Sequence, residues 1–307
     1  MKKILFRADS SSTIGTGHIM RDLVLAQQYP NSKIFFATQD LEGNLNSKIL
    51  EGGYSVEALL SNNLDELIEL VNKLHIDMIV IDHYGIDYVF EKELKDKTGI
   101  KLMVLDDTYE KHYCDILLNH NIYADSTRYK DLVPMNCELR CGEKFTLLRE
   151  EFLIAKGNKK GFCNETPHIL LAIGGADHLN ISMQVLRAID KILNIKIELV
   201  TSIANMHLSE LRKFSSSKKN ITLHVNINYI AKLMSKADFV ITTPSVMMNE
   251  VLYMNVPFIA IKTANNQKEM YNYLIRNNHI VFSKFHKKEF TNSFIALYEE
   301  HRCLKNI

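Results

Sequence analysis

His18 is the residue of this sequence best placed to take a proton from a reacting molecule. It closes the run Ser10-Ser11-Ser12-Thr13-Ile14-Gly15-Thr16-Gly17, whose hydroxyls and glycines separate an apolar strand pattern from a helical one. Gly15 and Gly17 let backbone approach a ligand, and free N–H groups at a helix start suit an anion or a polarised oxygen. The helix dipole there disfavours imidazolium, which leaves a neutral ring ready to accept a proton. A loop histidine that merely caps its helix fits the same position. The run is not a dinucleotide fingerprint, since Met20 stands where a third glycine belongs, and not a phosphate loop, since no Gly-Lys-Ser/Thr follows.

Four more polar clusters end apolar runs. Met78-Ile79-Val80-Ile81 leads into Asp82-His83-Tyr84-Gly85, which suits a site, although turn chemistry explains Asp and Gly equally well. Asp106-Asp107 ends the next strand pattern, either as half of a metal site or as a helix-capping turn. Ile173-Gly174-Gly175-Ala176-Asp177 offers backbone N–H groups on which a diphosphate can rest. Thr242-Thr243-Pro244-Ser245 precedes a helical pattern. Ser245 is a natural N-cap or a hydroxyl donor to phosphate. Glu250, one turn further, either accepts both hydroxyls of a ribose or lies idle in solvent. The backbone near Ile227, at another strand end, is assigned to the base.

The elements that must carry these loops alternate. Strand patterns over residues 4–9, 33–38, 78–82, 102–106 and 115–119 enclose helical spacing at 64–74 and 88–95. After the hydrophilic stretch Lys156–Gly161 the alternation resumes, with strands at 168–173, 195–201, 221–225, 239–242 and 257–261 and helices at 179–193, 208–214, 229–235, 246–254 and 268–276. Continuous apolar strands between helices mean parallel sheets covered on both faces. The expectation is α/β: two doubly wound Rossmann-like domains, residues 1–156 and 165–307, facing across a cleft, with ligands at the C-terminal strand ends. No glycine follows Gly175, and Asn194, Asn255 and Asn277 stand at helix ends, where asparagine is the next best left-handed residue.

Composition narrows the function. Thirty-seven basic residues against 36 acidic ones, a net +1, exclude a broad basic face for nucleic acid. No apolar run approaches the roughly 18 residues of a membrane span, and the start is charged again at Arg7, unlike a signal peptide. A cytoplasmic monomer is expected. Cys114, Cys137, Cys141, Cys163 and Cys303 are scattered without histidines at ligand spacing, which favours idle thiols over zinc.

Phe6-Arg7-Ala8-Asp9-Ser10-Ser11-Ser12 with Gly15-Thr16-Gly17-His18-Ile19-Met20-Arg21-Asp22 resembles the opening of the UDP-2,4-diacetamido-2,4,6-trideoxy-β-L-altropyranose hydrolases of pseudaminic acid biosynthesis. The likeness continues through Ile81-Asp82-His83-Tyr84-Gly85, Cys114-Asp115-Ile116-Leu117-Leu118-Asn119, Leu148-Arg149-Glu150-Glu151-Phe152, Ser245 and Asn249-Glu250 to Asn266-Gln267. Pro244 and Met247-Met248 depart from it, and the segment from about Phe285 is longer than the family needs. The resemblance implies a GT-B-like fold whose last helix crosses back onto the first domain. It implies a catalytic His18, an active-site Tyr84 and a substrate-contacting Asn266. Gly15, Gly17, Arg21, Asp82 and Arg149 are expected to bind the sugar, and Asn249 to join the nucleotide residues. The implied reaction releases UDP with inversion, without a metal, on the route to flagellin glycosylation. Water and a UDP-sugar are then the only partners. The same residues suit a glycosyltransferase, a hydrolysing UDP-sugar 2-epimerase, or a nucleotide-sugar binding module without catalysis.

Overall fold

The computed structural model describes residues 1–157, 166–190 and 194–304. Most of the expected linker, the end of the helix expected to reach Leu193, and Cys163 lie outside them. Contacts divide the chain into Met1–Leu147 and Leu148–Ile307, earlier than the expected boundary at 156.

The first unit runs β1 (Lys2–Ala8), α1 (Gly17–Gln27), β2 (Ser32–Gln39), α2 (Asn46–Glu51), β3 (Ser55–Leu59), α3 (Leu64–Leu74), β4 (Met78–Asp82), α4 (Tyr88–Thr98), β5 (Lys101–Leu105), β6 (Ile116–Asn119) and β7 (Glu138–Cys141). All pairings are parallel, in the order β3-β2-β1-β4-β5-β6-β7. Every residue of β4 is buried, as a strand covered by helices on both faces requires. Asn63 starts α3 by accepting from the Asp65 N–H at 2.8 Å. Strand order reverses between β1 and β4, so the loops after them part to opposite faces and leave a crevice at the sheet's C-terminal edge.

A buried ionic network joins α4 to the segment after β5. His112 Nδ1 lies 2.7 Å from Glu91 Oε1, while Nε2 stands 3.8 Å from Asp106, within ion-pair reach but beyond a hydrogen bond. Burial alone would depress the imidazole, but Asp106 and Glu91 raise it to about 9. A raised folded-state value contributes stability that is complete below the ordinary 6.5 and fades as pH climbs to about 9. Urea unfolding of the wild type should therefore lose up to about 3 kcal/mol across that window. His112→Gln should flatten the slope; an unchanged slope would rule out His112 as its source.

The second unit runs α5 (Glu150–Gly157), β8 (His168–Ala172), α6 (Ile181–Ile189), β9 (Lys196–Thr201), α7 (Leu208–Ser216), β10 (Ile221–Val225), α8 (Ile230–Met234), β11 (Phe239–Thr242), α9 (Met247–Met254), β12 (Phe258–Ile261), α10 (Lys268–Arg276), β13 (Val281–Phe282) and α11 (Lys287–Leu304). Its parallel sheet has the order β10-β9-β8-β11-β12-β13, again with one reversal, between β8 and β11. Phe290 and Phe294 of α11 are buried with Phe239, Ile241 and Leu186. These rings serve the second unit's core. Asn194 and Asn255 are left-handed, at φ +64° and +49°; after α10 the left-handed residue is Asn278, at +57°, not Asn277.

Candidate active site

The loops at the first unit's reversal bring His18, Asp82, Arg21, Asp107 and Tyr84 into one network. His18 sits in the first turn of α1, and Asp82 is the last residue of β4. Nδ1 of His18 lies 2.6 Å from Asp82 Oδ1. Arg21, three residues on and so on the same helix face, donates to Asp82 from Nε and Nη2 at 2.6 and 2.5 Å. Its Nη1 donates to Asp107 at 2.9 Å. The Tyr84 hydroxyl donates to the same Asp107 carboxylate at 2.9 and 3.1 Å, and its ring meets the His18 ring edge-on, 4.8 Å between centroids.

These contacts decide the tautomer. Burial would raise the Asp82 carboxyl, but the Arg21 charge and the hydrogen bonds from Arg21 and His18 outweigh it and hold Asp82 far below the usual carboxylate range. The ionised carboxylate at 2.6 Å makes Nδ1 the protonated, donating nitrogen, so Nδ1 does not accept from the Arg21 Nη2 donor 3.2 Å away. The lone pair is then on Nε2, which has no protein partner and is not sealed from solvent. Asp82 and Arg21, expected to touch substrate, are 1% and 4% exposed with their polar atoms committed. Their contacts run to each other and to His18. Tyr84 is 55% exposed and open to a ligand.

Asp107 went unassigned because sequence joins it to Asp106, and the structure separates the two. Asp106 accepts from the Thr108 and Tyr109 N–H groups and from Tyr129, so it fixes a turn, though no helix stands between β5 and β6 for it to cap; burial works against ionisation, yet His112, Tyr129 and the Thr108 N–H bring the carboxyl down to about 2. Beside the site, Arg7 pairs with Asp9 at 2.8 Å. His83 Nδ1 accepts from the Gly85 N–H at 2.9 Å, which leaves Nε2–H to donate to Asp9 at 3.1 Å. His83 is thereby fully used in holding the loop. Asp22 and His120 are buried without protein partners on their side-chain polar atoms. Burial, helped by Asp82, pushes Asp22 well up, and burial with Arg21 pushes His120 down to about 3. Both stay uncharged beneath the charged network.

The glycine loop is more closed than its composition suggests. Gly15, at φ +88°, adopts a conformation that costs other residues strain, and its N–H is spent on the Ser11 carbonyl at 2.9 Å. The helix start at Gly17 and His18 keeps its unpaired N–H groups, because Thr16 gives no side-chain cap.

In the second unit the loops after β8 and β11 flank the reversal. Gly174 is left-handed at φ +91°, and a Cβ on Gly175 would lie 2.9 Å from Ser202 Oγ, so only glycine fits here without rearrangement. The start of α6 is not open: Asp177 accepts from the Ile181 and Ser182 N–H groups at 2.8 and 2.9 Å. Ser245 does not cap α9, whose N-cap is Val246 without a side-chain bond. Its hydroxyl accepts from Thr243 at 3.0 Å and keeps its own hydrogen to donate. Glu250 is only 5% exposed and takes a bidentate pair from Arg149, Nε at 2.8 Å and Nη2 at 3.0 Å. Arg149, expected among the sugar contacts of the first domain, thus belongs to the second unit. Burial lifts the Glu250 carboxyl and Arg149 offsets part of the rise. Asn249 is buried, Ile227 is half-buried beyond β10, and Asn266 is exposed in the turn after β12.

No family model matches the sequence. The chain is 40% identical over 284 residues to the UDP-2,4-diacetamido-2,4,6-trideoxy-β-L-altropyranose hydrolase of Campylobacter jejuni, covering 92% of this chain and 100% of that protein. It is 25% identical over 267 residues to the spore coat polysaccharide biosynthesis protein SpsG of Bacillus subtilis, covering 85% of this chain and 77% of that one. Among solved structures, MurG of Acinetobacter baumannii superposes with a TM-score of 0.65 at 12% identity, over 97% of this chain and 91% of that one. The UDP-GlcNAc 2-epimerase of Neisseria meningitidis, bound to UDP-GlcNAc, gives 0.65 at 12% identity, over 98% and 93%. These likenesses show the fold, a two-domain Rossmann-like GT-B architecture. Two-fifths identity along the entire length of the Campylobacter enzyme settles kinship more narrowly: this chain belongs to the UDP-2,4-diacetamido-2,4,6-trideoxy-β-L-altropyranose hydrolase family.

Proposed function

We propose that this chain hydrolyses the anomeric C–O bond of a UDP-linked 2,4-diacetamido-2,4,6-trideoxyhexose, releasing UDP and the free sugar with inversion, as a cytoplasmic monomer in pseudaminic acid biosynthesis. The observation that carries the reading is the 2.6 Å contact from His18 Nδ1 to a buried, ionised Asp82, which frees Nε2 to act as a base. Water gives a proton to Nε2 as its oxygen bonds to the anomeric carbon. The bond to the phosphate oxygen breaks on the opposite face, and its electron pair leaves with UDP. Direct attack inverts the centre. UDP is a good leaving group once its charge is met, and the uncapped start of α9, the Ser245 hydroxyl and the backbone at Gly174-Gly175 are suited to meeting it. No step requires a metal, so activity should survive exhaustive chelation. Tyr84 and Asn266, both exposed, are assigned to the substrate.

Proton NMR of the protein with the UDP-sugar tests this by following UDP and the first-formed anomer. Sustained UDP release without an acceptor, with inverted configuration, is the expected result. A dependence on an added acceptor would make it a transferase, and an altered centre at C2 an epimerase.

Glu250 is assigned to the ribose hydroxyls, each oxygen keeping a lone pair beside its bond from Arg149. Glu250→Gln should weaken UDP binding by about 10- to 100-fold, the range of a charged hydrogen bond, and 2′-deoxy-UDP should bind the wild type less tightly than UDP. Calorimetry with both ligands checks it; equal affinities in the wild type would remove Glu250 from the ribose.

A further inference from the structure

The first unit holds a second chemically competent pair, away from the crevice. Cys114 precedes β6 and Cys137 precedes β7, and their sulfurs lie 3.6 Å apart although 23 residues separate them in sequence. The parallel register Ile116↔Glu138, traced back one step, sets Cys137 opposite Asp115, one place from Cys114. Cys114 is 3% exposed and Cys137 is half-buried, so an oxidant in solution reaches only one of them.

We propose that Cys114 and Cys137 form a reversible dithiol–disulfide site whose co-reactant is a small disulfide of the glutathione type. Cys137, as thiolate, attacks one sulfur of the oxidant, forms a mixed disulfide and releases one reduced thiol. Cys114 then gives up its proton and attacks the Cys137 sulfur, expelling the second thiol and completing the protein bond. Two protein thiols are oxidised and one small disulfide is reduced to two thiols. The division of roles agrees with the local chemistry. The contact with Cys114 draws the Cys137 thiol down towards the thiolate, while that same contact and burial push Cys114 up. Low pKa with access marks an attacking sulfur, and a buried neighbour marks the resolving one.

The bond would close the segment that carries Tyr123 and Tyr129. Tyr129 donates to Asp106 at 2.6 Å, and Tyr123 donates to the Asp107 carbonyl at 3.0 Å. Cross-linking its ends therefore tethers the loop that presents Asp107, and it ties β7, an edge strand among the described residues, to its sheet neighbour, β6.

The test uses the full-length protein incubated with glutathione disulfide, then alkylated and weighed intact. The expected product has lost two hydrogens and two alkylatable thiols, its peptide map joins Cys114 to Cys137, and dithiothreitol reverses it. The oxidised form should melt roughly 5–10 °C higher than the reduced one, the gain usual for a loop of this size. Cys114→Ser should stall with one glutathione on Cys137. A wild type that keeps that adduct while its other thiols stay alkylatable, or whose bond maps to Cys141, Cys163 or Cys303, would overturn the proposal. The wild-type measurement decides the matter even where a variant fails to fold, and neither outcome depends on the UDP-sugar reaction.

Discussion

His18→Phe will lower kcat by roughly 100- to 10,000-fold, the contribution typical of a positioned general base, while UDP binding survives. Phenylalanine keeps a ring against Tyr84, whose centroid lies 4.8 Å from the imidazole, so the packing of the loop is retained and the base alone is removed. UDP binding is assigned to residues of the second unit, all of them outside Met1–Leu147, and gives an internal control in the same sample. Turnover is read by UDP release and binding by calorimetry. Wild-type release from the variant would strip His18 of its role; lost turnover together with lost UDP binding would indicate damage beyond the base.

Asp82→Asn will be nearly as harmful to turnover and more harmful to stability. The amide is neutral, so it neither holds the Nδ1 proton by charge nor answers the two bonds from Arg21. The ring loses its fixed tautomer, for a fall of about 100-fold or more in kcat, and a buried guanidinium is left with Asp107 alone. Removing one member of a buried pair commonly costs about 3–5 kcal/mol. Urea unfolding and kcat measured on the same preparation separate the two effects. A folded variant with unaltered kcat would show that Asp82 does not orient His18. The pH sense follows from the same charges. Asp82 and Asp9 are held well below the ordinary 3.8 and Asp106 lies near 2. Their contribution is complete above pH 4 and disappears only as pH falls through those depressed values.

The sequence shows the inner strands plainly and the edge strands poorly. β4 and β11 are buried throughout, and unbroken aliphatic runs mark both. The strands that patterning misses are β3, β7 and β13, each at the edge of its sheet. With one neighbour and a wetter face they carry residues such as Glu57, Glu138 and Arg140, which erase the apolar signal. At the site, His18 is legible because loop and helix start are contiguous in the chain. The roles of Asp82 and Arg21 are not, since residue type cannot separate a carboxylate that meets substrate from one that orients its neighbour. Only the distances across the strand ends do that. Arg149 is misplaced for a related reason: it stands just beyond the division at Leu147–Leu148, and its partner Glu250 is 101 residues away in sequence.

The two helices that begin beside the reversal in the second sheet are electrically unlike. α6 has already met a carboxylate of its own chain, Asp177, whereas α9 takes no side-chain cap at Val246 and its first-turn carboxylate, Glu250, is paired with Arg149. For the pyrophosphate placement proposed above, the open helix start lies on the β11 side, while the β8 side offers the backbone at Gly174-Gly175 alone. The asymmetry gives the ligand a polarity: its more highly charged end has one favourable berth, and a reversed orientation would forfeit it.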